Sequence, residues 1–194
     1  MSNSIITEDR GNALVLRFVR PEIRNPLSVA VLDELHGMVD SLGNKPVIFT
    51  GQGNVFASGA NLNEIAGITA ENAKEFACYG QDLMAMIAGL EQTTIAAING
   101  YCFGGALDLA LACERRIASV IATFSHPGAG LGFITGWGGT QRLPRLIGQA
   151  KALEMFFTTR PVTAAEALRI GLIDEIADDI MAVSLANISG GCSS

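Results

Sequence analysis

The sequence predicts an α/β fold in which most strands are parallel. Runs rich in apolar and β-branched residues at 13–19, 45–50 and 94–98 are typical of buried strands. Segments of helical periodicity alternate with them, such as 27–42, whose apolar residues recur on one helix face. Glycine-punctuated loops follow the second and third of these strands. Strands and helices that alternate in this way indicate a mainly parallel sheet, and ligands bind such sheets at the carboxyl ends of the strands.

The other predicted elements follow along the chain: a turn-rich loop at 20–26, a helix at 70–90, a helix from Ala106 to Cys113, one or two short strands at 115–124, a glycine-rich stretch at 127–139 that continues as helix to Ile147, helices at 149–157 and 163–169, a strand from Leu172 to Ile176 and a helix at 178–188. With 194 residues, one core is expected, in a single domain over 1–188. The low-complexity end, 189–194, is predicted to be a disordered tail.

Composition argues against several classes of function. The net charge of −6 does not favour a nucleic-acid partner, which needs a basic face, and no apolar run is long enough for a membrane span. The first ten residues lack the apolar region of a signal peptide, so the four cysteines are expected to be reduced thiols in a cytoplasmic protein. The cysteines and the two histidines are not spaced as metal ligands, and no metal is predicted.

The rest of the chain is organised around the segment from Thr94 to Glu114. After the strand at 94–98, the pair Gly104-Gly105 opens a run of good helix formers. Backbone N–H groups at such a helix start are free to bind an anion or a developing oxyanion. Asp108 follows three residues after Gly105, on the same helix face. The N–H of Gly105 and the carboxylate of Asp108 are therefore expected to point at one place.

A second donor loop follows the strand at 45–50. It runs from Gly51 to Glu64 and contains Gly59-Ala60-Asn61 just before a short helical segment. A helix that starts there leaves the N–H of Ala60 free. The two loops together are predicted to place two N–H donors on one oxygen atom of a ligand.

Five motifs carry a family resemblance: Phe56–Leu62 (FASGANL), Ala96–Ala110 (AAINGYCFGGALDLA), Phe124–Gly132 (FSHPGAGLG), Gly138–Gly148 (GGTQRLPRLIG) and Ala164–Ile173 (AAEALRIGLI). In this order, and over nearly the whole chain, they resemble the crotonase (enoyl-CoA hydratase/isomerase) family. The resemblance implies a spiral of ββα units that binds acyl-CoA, with no cofactor beyond the coenzyme A of the substrate. It also implies that the N–H groups of Ala60 and Gly105 stabilise an enolate, and that the chains form trimers or hexamers. The C-terminal helices that help to build those assemblies are reduced here, which is expected to expose apolar surface.

The sequence departs from the family at its two catalytic glutamates. Their positions match Asp108 and Gly128, so the first carboxylate is shorter by a methylene and the second is absent. The leading hypothesis is still a hydratase-type lyase, with Asp108 as acid and base. The alternatives are decarboxylation, isomerisation or carbon–carbon bond cleavage with Gly128 hosting water or an anion such as bicarbonate, Asp108 acting alone as base or nucleophile, and a catalytically silent homologue that binds acyl-CoA.

The substrate pocket is expected to draw on residues 65–90 and 133–137, with Phe133 and Trp137 as candidates for its wall. If the stretch after His126 is extended, His126 and Gly128 share a face, and His126 is then either an acid or base or a group that fills space. The candidate substrate-binding residues lie on or beside the predicted loops: Arg24, Ala57, Ser58, Gly59, Asn61, Leu62, Tyr101, Gly104, His126, Pro127 and Gly136. Tyr101 is interpreted mainly as a packing residue.

Overall fold

The computed structural model describes residues 3–189. Its strands are β1 (Ile5–Asp9), β2 (Leu14–Phe18), β3 (Pro26–Leu27), β4 (Val47–Gly51), β5 (Val55–Ala57), β6 (Gly59–Ala60), β7 (Thr94–Ile98), β8 (Tyr101–Phe103), β9 (Arg115–Ala118), β10 (Thr123–Ser125), β11 (Val162–Thr163) and β12 (Glu175–Ile176). A six-stranded sheet has the order β1-β2-β4-β7-β9-β12, a four-stranded sheet the order β11-β10-β8-β5, and β3 pairs with β6. Within the described part of the chain, only the β1–β2 and β10–β11 pairings are antiparallel. The predicted α/β class with mainly parallel strands is confirmed.

The helices are α1 (Val29–Asp40), α2 (Leu62–Ala66), α3 (Ala73–Ala88), α4 (Gly105–Ala112), α5 (Gly139–Ile147), α6 (Gln149–Thr158), α7 (Ala164–Arg169) and α8 (Ile180–Ser189), with 3-10 turns at Pro21–Ile23 and Pro127–Leu131. Side chains cap the first turns of several of them, including α1 and α7. The hydroxyl of Ser28 accepts from the N–H of Val31 in α1, and that of Thr163 accepts from the N–H of Glu166 in α7. These bonds satisfy donors that a helix start leaves free.

The six-stranded sheet buries both of its faces because side chains alternate along each strand. In β4, Val47 and Phe49 enter the main core, while Ile48 points to the opposite face. That opposite face is covered by α8, which contributes Ile180 and Met181 to a second apolar cluster. The main core lies on the other side, together with most of the helices and the four-stranded sheet.

Most predicted elements are present close to their predicted bounds, and the strand at 94–98 coincides with β7. The strand predicted from Leu172 to Ile176 is wrong over its first half, because only Glu175–Ile176 pairs with β9. Asp174 instead uses its carboxylate to accept from the backbone N–H and the guanidinium of Arg116. The tail predicted at 189–194 lies outside the described residues, except for Ser189, which ends α8.

Strand β1 was not predicted because its sequence carries little apolar signal. Of its side chains only Ile5 is fully buried, and the strand exists through its antiparallel pairing with β2. The short strands β3, β5, β6, β8 and β11 were also missed, since segments of two or three residues show no periodicity. They are defined by backbone pairing between distant parts of the chain, as where Leu27 of β3 lies opposite Ala60 of β6.

Asn25 ties the turn-rich loop at 20–26 to the strand that leads into the donor loop. Its side chain is buried, accepts from the N–H of Arg20, and donates to the carbonyl oxygens of Val55 and Phe56 at 3.1 Å each. Asn25 also has a φ of +47°, a region that asparagine tolerates better than most residues. The loop thereby fixes β3 against β6, next to Ala60.

Several large apolar side chains are exposed in and around α5 and α6. They are Leu131, Ile134, Leu146, Leu153 and Phe157, of which Phe157 is 77% exposed. Among the described helices, none combines the length and apolar character needed to cross a bilayer. Over residues 3–189 there is likewise no group of three His, Cys, Asp or Glu side chains that could hold a metal ion, and Cys78, Cys102 and Cys113 are free thiols.

Candidate active site

The first donor is the backbone N–H of Gly105, the first residue of α4. Gly104 precedes it with φ +55° and ψ −125°, a conformation that favours glycine. The N–H of Gly104 donates to the carbonyl oxygen of Ser125 at 2.8 Å, which fixes the helix start against the four-stranded sheet. The N–H of Gly105 has no acceptor within its own helix, because it belongs to the first turn.

The second donor loop packs directly onto this helix start. A Cβ at Gly59, whose φ is +87°, would lie 2.6 Å from the carbonyl oxygen of Phe103 and 2.8 Å from the nitrogen of Gly105. The Cβ position of Gly105 lies 3.5 Å from the nitrogen of Ala60. Glycine at 59 and at 105 therefore allows the two loops to approach until the backbone nitrogens of Ala60 and Gly105 are neighbours.

Both of these residues line one cavity of about 370 Å³. Its wall is formed by side chains of α2 and α3, by the 3-10 turn and by the segment before α5: Ser58, Ala60, Leu62, Ile65, Ile68, Ala73, Phe76, Ala77, Gly104, Gly105, His126, Pro127, Gly128, Leu131, Phe133, Ile134, Thr135, Gly136 and Trp137. The wall is mostly apolar, with the donor loops and a few polar groups at one side. Such a cavity suits a ligand that has an apolar chain and one polar group. The expected contributions from 65–90 and 133–137, with Phe133 and Trp137 in the wall, are confirmed.

Trp137 is wedged between two glycines. A Cβ at Gly105 would overlap its six-membered ring, and a Cβ at Gly80 of α3 would overlap its five-membered ring. Arg142 holds the backbone of this segment by donating to the carbonyl oxygens of Trp137 and Met84, at 3.4 and 3.2 Å. The indole thus fixes the distance between α3 and the start of α4.

Asp108 does not line the cavity, and the prediction that its carboxylate and the donors point at one place is wrong. The side chain is fully buried, and Oδ2 accepts from the hydroxyl of Thr135. His126 lies on the other side, with its Nε2 3.6 Å from Oδ1 of Asp108. Thr135 and His126 both line the cavity. They stand between the carboxylate and the ligand space because the segment before α5 folds over this face of α4.

Burial displaces the pKa values of both members of the pair. It raises the pKa of Asp108 to about 7, against the opposing effects of the Thr135 hydroxyl and the positive charge of Arg142. It lowers the pKa of His126 to about 4. Between these values the folded pair holds one proton, and that proton is on Asp108.

The other predicted site residues divide into two groups. Ser58, Leu62, Gly104, Pro127 and Gly136 line the cavity with His126. The following residues do not: Arg24 is exposed on the 3-10 turn at Pro21–Ile23, Ala57 is core, Gly59 packs against Gly105, Asn61 caps α2, and Tyr101 is 45% exposed and packs against Phe103. Their predicted direct contact with substrate is not supported by this arrangement.

Gly128 lines the cavity, but the direction in which a side chain would project is filled. A Cβ there would lie 2.8 Å from the carbonyl oxygen of Phe133 and 3.2 Å from its ring. The expectation that the absent side chain leaves room for an anion is therefore wrong in that direction. The premise of an extended stretch is also wrong, since Pro127–Leu131 is a 3-10 helix, although His126 and Gly128 still line the same cavity.

Sequence reasoning missed Thr135. It stands alone in a glycine-rich stretch, and nothing in its spacing indicates that it would bond to a carboxylate 27 residues away. The position is visible only once α5 is packed against α4.

Solved structures share this fold. An enoyl-CoA hydratase from Bacillus anthracis matches 97% of this chain and 76% of its own, with a TM-score of 0.89 and 34% identity. An enoyl-CoA hydratase from Thermoplasma volcanium matches all of this chain and 79% of its own, with a TM-score of 0.93 and 29% identity. The architecture is thus the crotonase fold, a spiral of ββα units in a mainly parallel arrangement.

The sequence gives the narrower assignment. Residues 8–186 match the family model described as enoyl-CoA hydratase/isomerase. A crotonyl-CoA hydratase from Syntrophomonas wolfei is 38% identical over 178 residues, which are 89% of this chain and 68% of that protein. The chain belongs to the enoyl-CoA hydratase/isomerase family.

Proposed function

We propose that the protein is an acyl-CoA thioester enzyme of the enoyl-CoA hydratase type. The observation that carries the proposal is the approach of the Ala60 and Gly105 backbone nitrogens at the wall of one apolar cavity. Two N–H groups on the carbonyl oxygen of a thioester would stabilise the enolate that forms when water adds to the double bond, and one such donor typically contributes 10²–10³ in rate. The apolar wall would hold the acyl chain. The reaction needs no cofactor beyond the coenzyme A of the substrate.

The test is the hydration of crotonyl-CoA, followed by the loss of enoyl-thioester absorbance. We expect turnover by the native protein and a decrease of at least about 10²-fold in Asp108→Asn at about pH 8, the size expected when acid–base catalysis is impaired. Asp40→Asn is the matched control, since Asp40 is exposed at the end of α1 and should leave the rate unchanged. If the native protein binds crotonyl-CoA but does not hydrate it, the assignment to hydration is wrong.

Decarboxylation is the second candidate. No Asp or Glu is among the described residues that line the cavity, and loss of CO₂ from a thioester requires little beyond stabilisation of the resulting enolate. Release of CO₂ from malonyl-CoA or methylmalonyl-CoA, in a protein inert towards crotonyl-CoA, would favour this reaction over hydration.

We also propose self-association, with a trimer as the unit. The exposed apolar residues of α5 and α6, above all Phe157, form a surface that is unfavourable in water. Light scattering coupled to size-exclusion chromatography should give the mass of a trimer or hexamer. Phe157→Ser should shift that mass towards the monomer, whereas Val120→Ser, at another exposed apolar side chain, should not. A native protein that elutes as a monomer would contradict the proposal. A cytoplasmic location remains a prediction from sequence.

A further inference from the structure

Three buried polar atoms of the Asp108–His126 pair have no hydrogen-bond partner among the described residues: Oδ1 of Asp108 and both ring nitrogens of His126. His126 is 3% exposed and Asp108 is fully buried. Leaving such atoms unpaired inside a protein costs about 1–3 kcal/mol for each group. A cluster of them beside a ligand cavity indicates groups arranged for a reaction rather than for stability.

We propose that His126 is the catalytic acid and base of this site, and that Asp108 is a positioning residue that acts through it. This inference rests on the proposed function. His126 lines the cavity together with Ala60 and Gly105, whereas Asp108 lies behind it. A histidine backed by a carboxylate would take over the task for which the family resemblance implies two glutamates.

The order of the groups supports this division of roles. Nε2 of His126 faces Oδ1 of Asp108 at 3.6 Å. Nδ1 is buried as well, but it does not face the carboxylate, so we assign proton transfer to Nδ1. Thr135 holds the other carboxylate oxygen and thereby fixes the direction of Oδ1. Phe156 packs against the imidazole with ring centroids 5.0 Å apart, which restricts the orientation of the ring.

One imidazole can carry out both proton transfers that hydration requires. Nδ1 takes a proton from water while the water oxygen bonds to Cβ of the enoyl thioester. The π electrons move to the thioester oxygen, and the resulting enolate is held by the N–H groups of Ala60 and Gly105. The imidazolium then returns its proton to Cα as the carbonyl re-forms. The carboxylate of Asp108 stabilises the imidazolium between the two transfers.

The titration of this pair depends on few charged neighbours. Asp108 is the only ionisable residue of α4, and the groups that act on it from packed elements are Arg142 of α5 and Cys102 of β8. An arginine stays charged at all relevant pH values, and burial raises the pKa of Cys102 well above its ordinary value. A change in activity between pH 5 and 8 would therefore report on Asp108 and His126.

The test compares His126→Gln with His36→Gln, the same substitution at the other histidine, which packs between Tyr79 and Met86 outside the cavity wall. Two activities are measured: hydration of crotonyl-CoA, and exchange of the Cα protons of butyryl-CoA in D₂O. We expect His126→Gln to lose about 10²–10⁴-fold in both and to bind butyryl-CoA with native affinity. His36→Gln should retain both activities.

Asp108→Asn keeps the inference testable if His126→Gln does not fold. In the native protein, kcat/KM should rise as the pH passes about 7, where Asp108 ionises. In Asp108→Asn this rise should disappear, so that the rate lies below the native rate above about pH 7 and close to it at lower pH, a pattern that a purely structural role would not produce. An Asp108→Asn protein that keeps the native pH profile would overturn the role of Asp108.

The outcomes separate the inference from the proposed function. Hydration that survives in His126→Gln overturns the inference and leaves the hydratase assignment in place. If the native protein exchanges Cα protons, loses this exchange in His126→Gln and does not hydrate crotonyl-CoA, the role of His126 is supported and the hydratase assignment is wrong. A native protein that does neither overturns both.

Discussion

Replacing Gly105 with alanine is expected to reduce both stability and turnover, because the added methyl group would overlap the indole of Trp137. Overpacking of a tight contact typically costs about 1–3 kcal/mol. The helix start must also shift to relieve the overlap, which moves the N–H of Gly105 away from its neighbour Ala60. Misplacement of one such donor lowers the rate by about 10²–10³. Urea unfolding and crotonyl-CoA turnover measure the two effects.

Gly37→Ala is the matched control. Gly37 lies within α1, and a Cβ there would have no atom within 4 Å. The same substitution should therefore stabilise the protein by about 0.5–1 kcal/mol, since alanine is the better helix former, and leave turnover unchanged. If Gly105→Ala is as stable and as active as the native protein, then Trp137 does not hold the donor in place.

A double substitution can localise the effect. Trp137→Leu shortens the side chain that the new methyl group would meet, so the combined variant should be destabilised by less than the sum of the two single changes. A coupling of about 0.5–3 kcal/mol is usual for residues in contact. Strict additivity would mean that the cost of Gly105→Ala arises elsewhere.

The second large effect concerns how stability changes with pH. In the unfolded chain Asp108 has its ordinary pKa of 3.8 and His126 its ordinary pKa of 6.5, so between these values one proton is bound, on His126. The folded protein also binds one, on Asp108, because burial raises the pKa of Asp108 to about 7 and lowers that of His126 to about 4. Folding moves this proton without changing the number bound. The native pair therefore contributes little pH dependence between about pH 4 and 6.5.

In each single variant the folded and unfolded chains should bind different numbers of protons, so stability should depend on pH. The two variants should differ in the direction of this dependence. In Asp108→Asn only the unfolded chain binds the proton, so stability relative to the native protein rises with pH across the window, by up to about 3 kcal/mol. In His126→Gln only the folded protein binds it, so relative stability falls as the pH rises towards 7, by up to about 4 kcal/mol. Urea unfolding from pH 4 to 8 measures both slopes. Curves that stay parallel to the native one would contradict the assigned protonation states.

Much of the fold could be predicted because its signals are local. An apolar run predicts the strand at 94–98, and the pair Gly104-Gly105 predicts the helix that follows it. Strand β1 does not, since its only buried side chain is Ile5 and its existence depends on pairing with β2. Local pattern determines the long elements, whereas backbone pairing across the chain determines the short ones.

The backbone donors of the site could be predicted from the sequence, whereas the arrangement of its side chains could not. The glycines Gly59, Gly104 and Gly105 mark the two donor loops in the sequence. The N–H groups of Ala60 and Gly105 could therefore be predicted to lie close together. Helical spacing correctly placed Asp108 on one face of α4, but it could not show that Thr135 and His126 would stand between that face and the cavity. Such screening depends on the packing of α5 and the 3-10 turn, which sequence spacing does not encode.

The wedged position of Trp137 has an optical consequence. It is the one tryptophan of the chain, it is 3% exposed, and its ring lies against the residue that donates the first N–H. The tryptophan fluorescence of the protein therefore comes from a single indole in the cavity wall. Its emission should respond both to a thioester that enters the cavity and to unfolding, so occupancy and stability can be followed without any label.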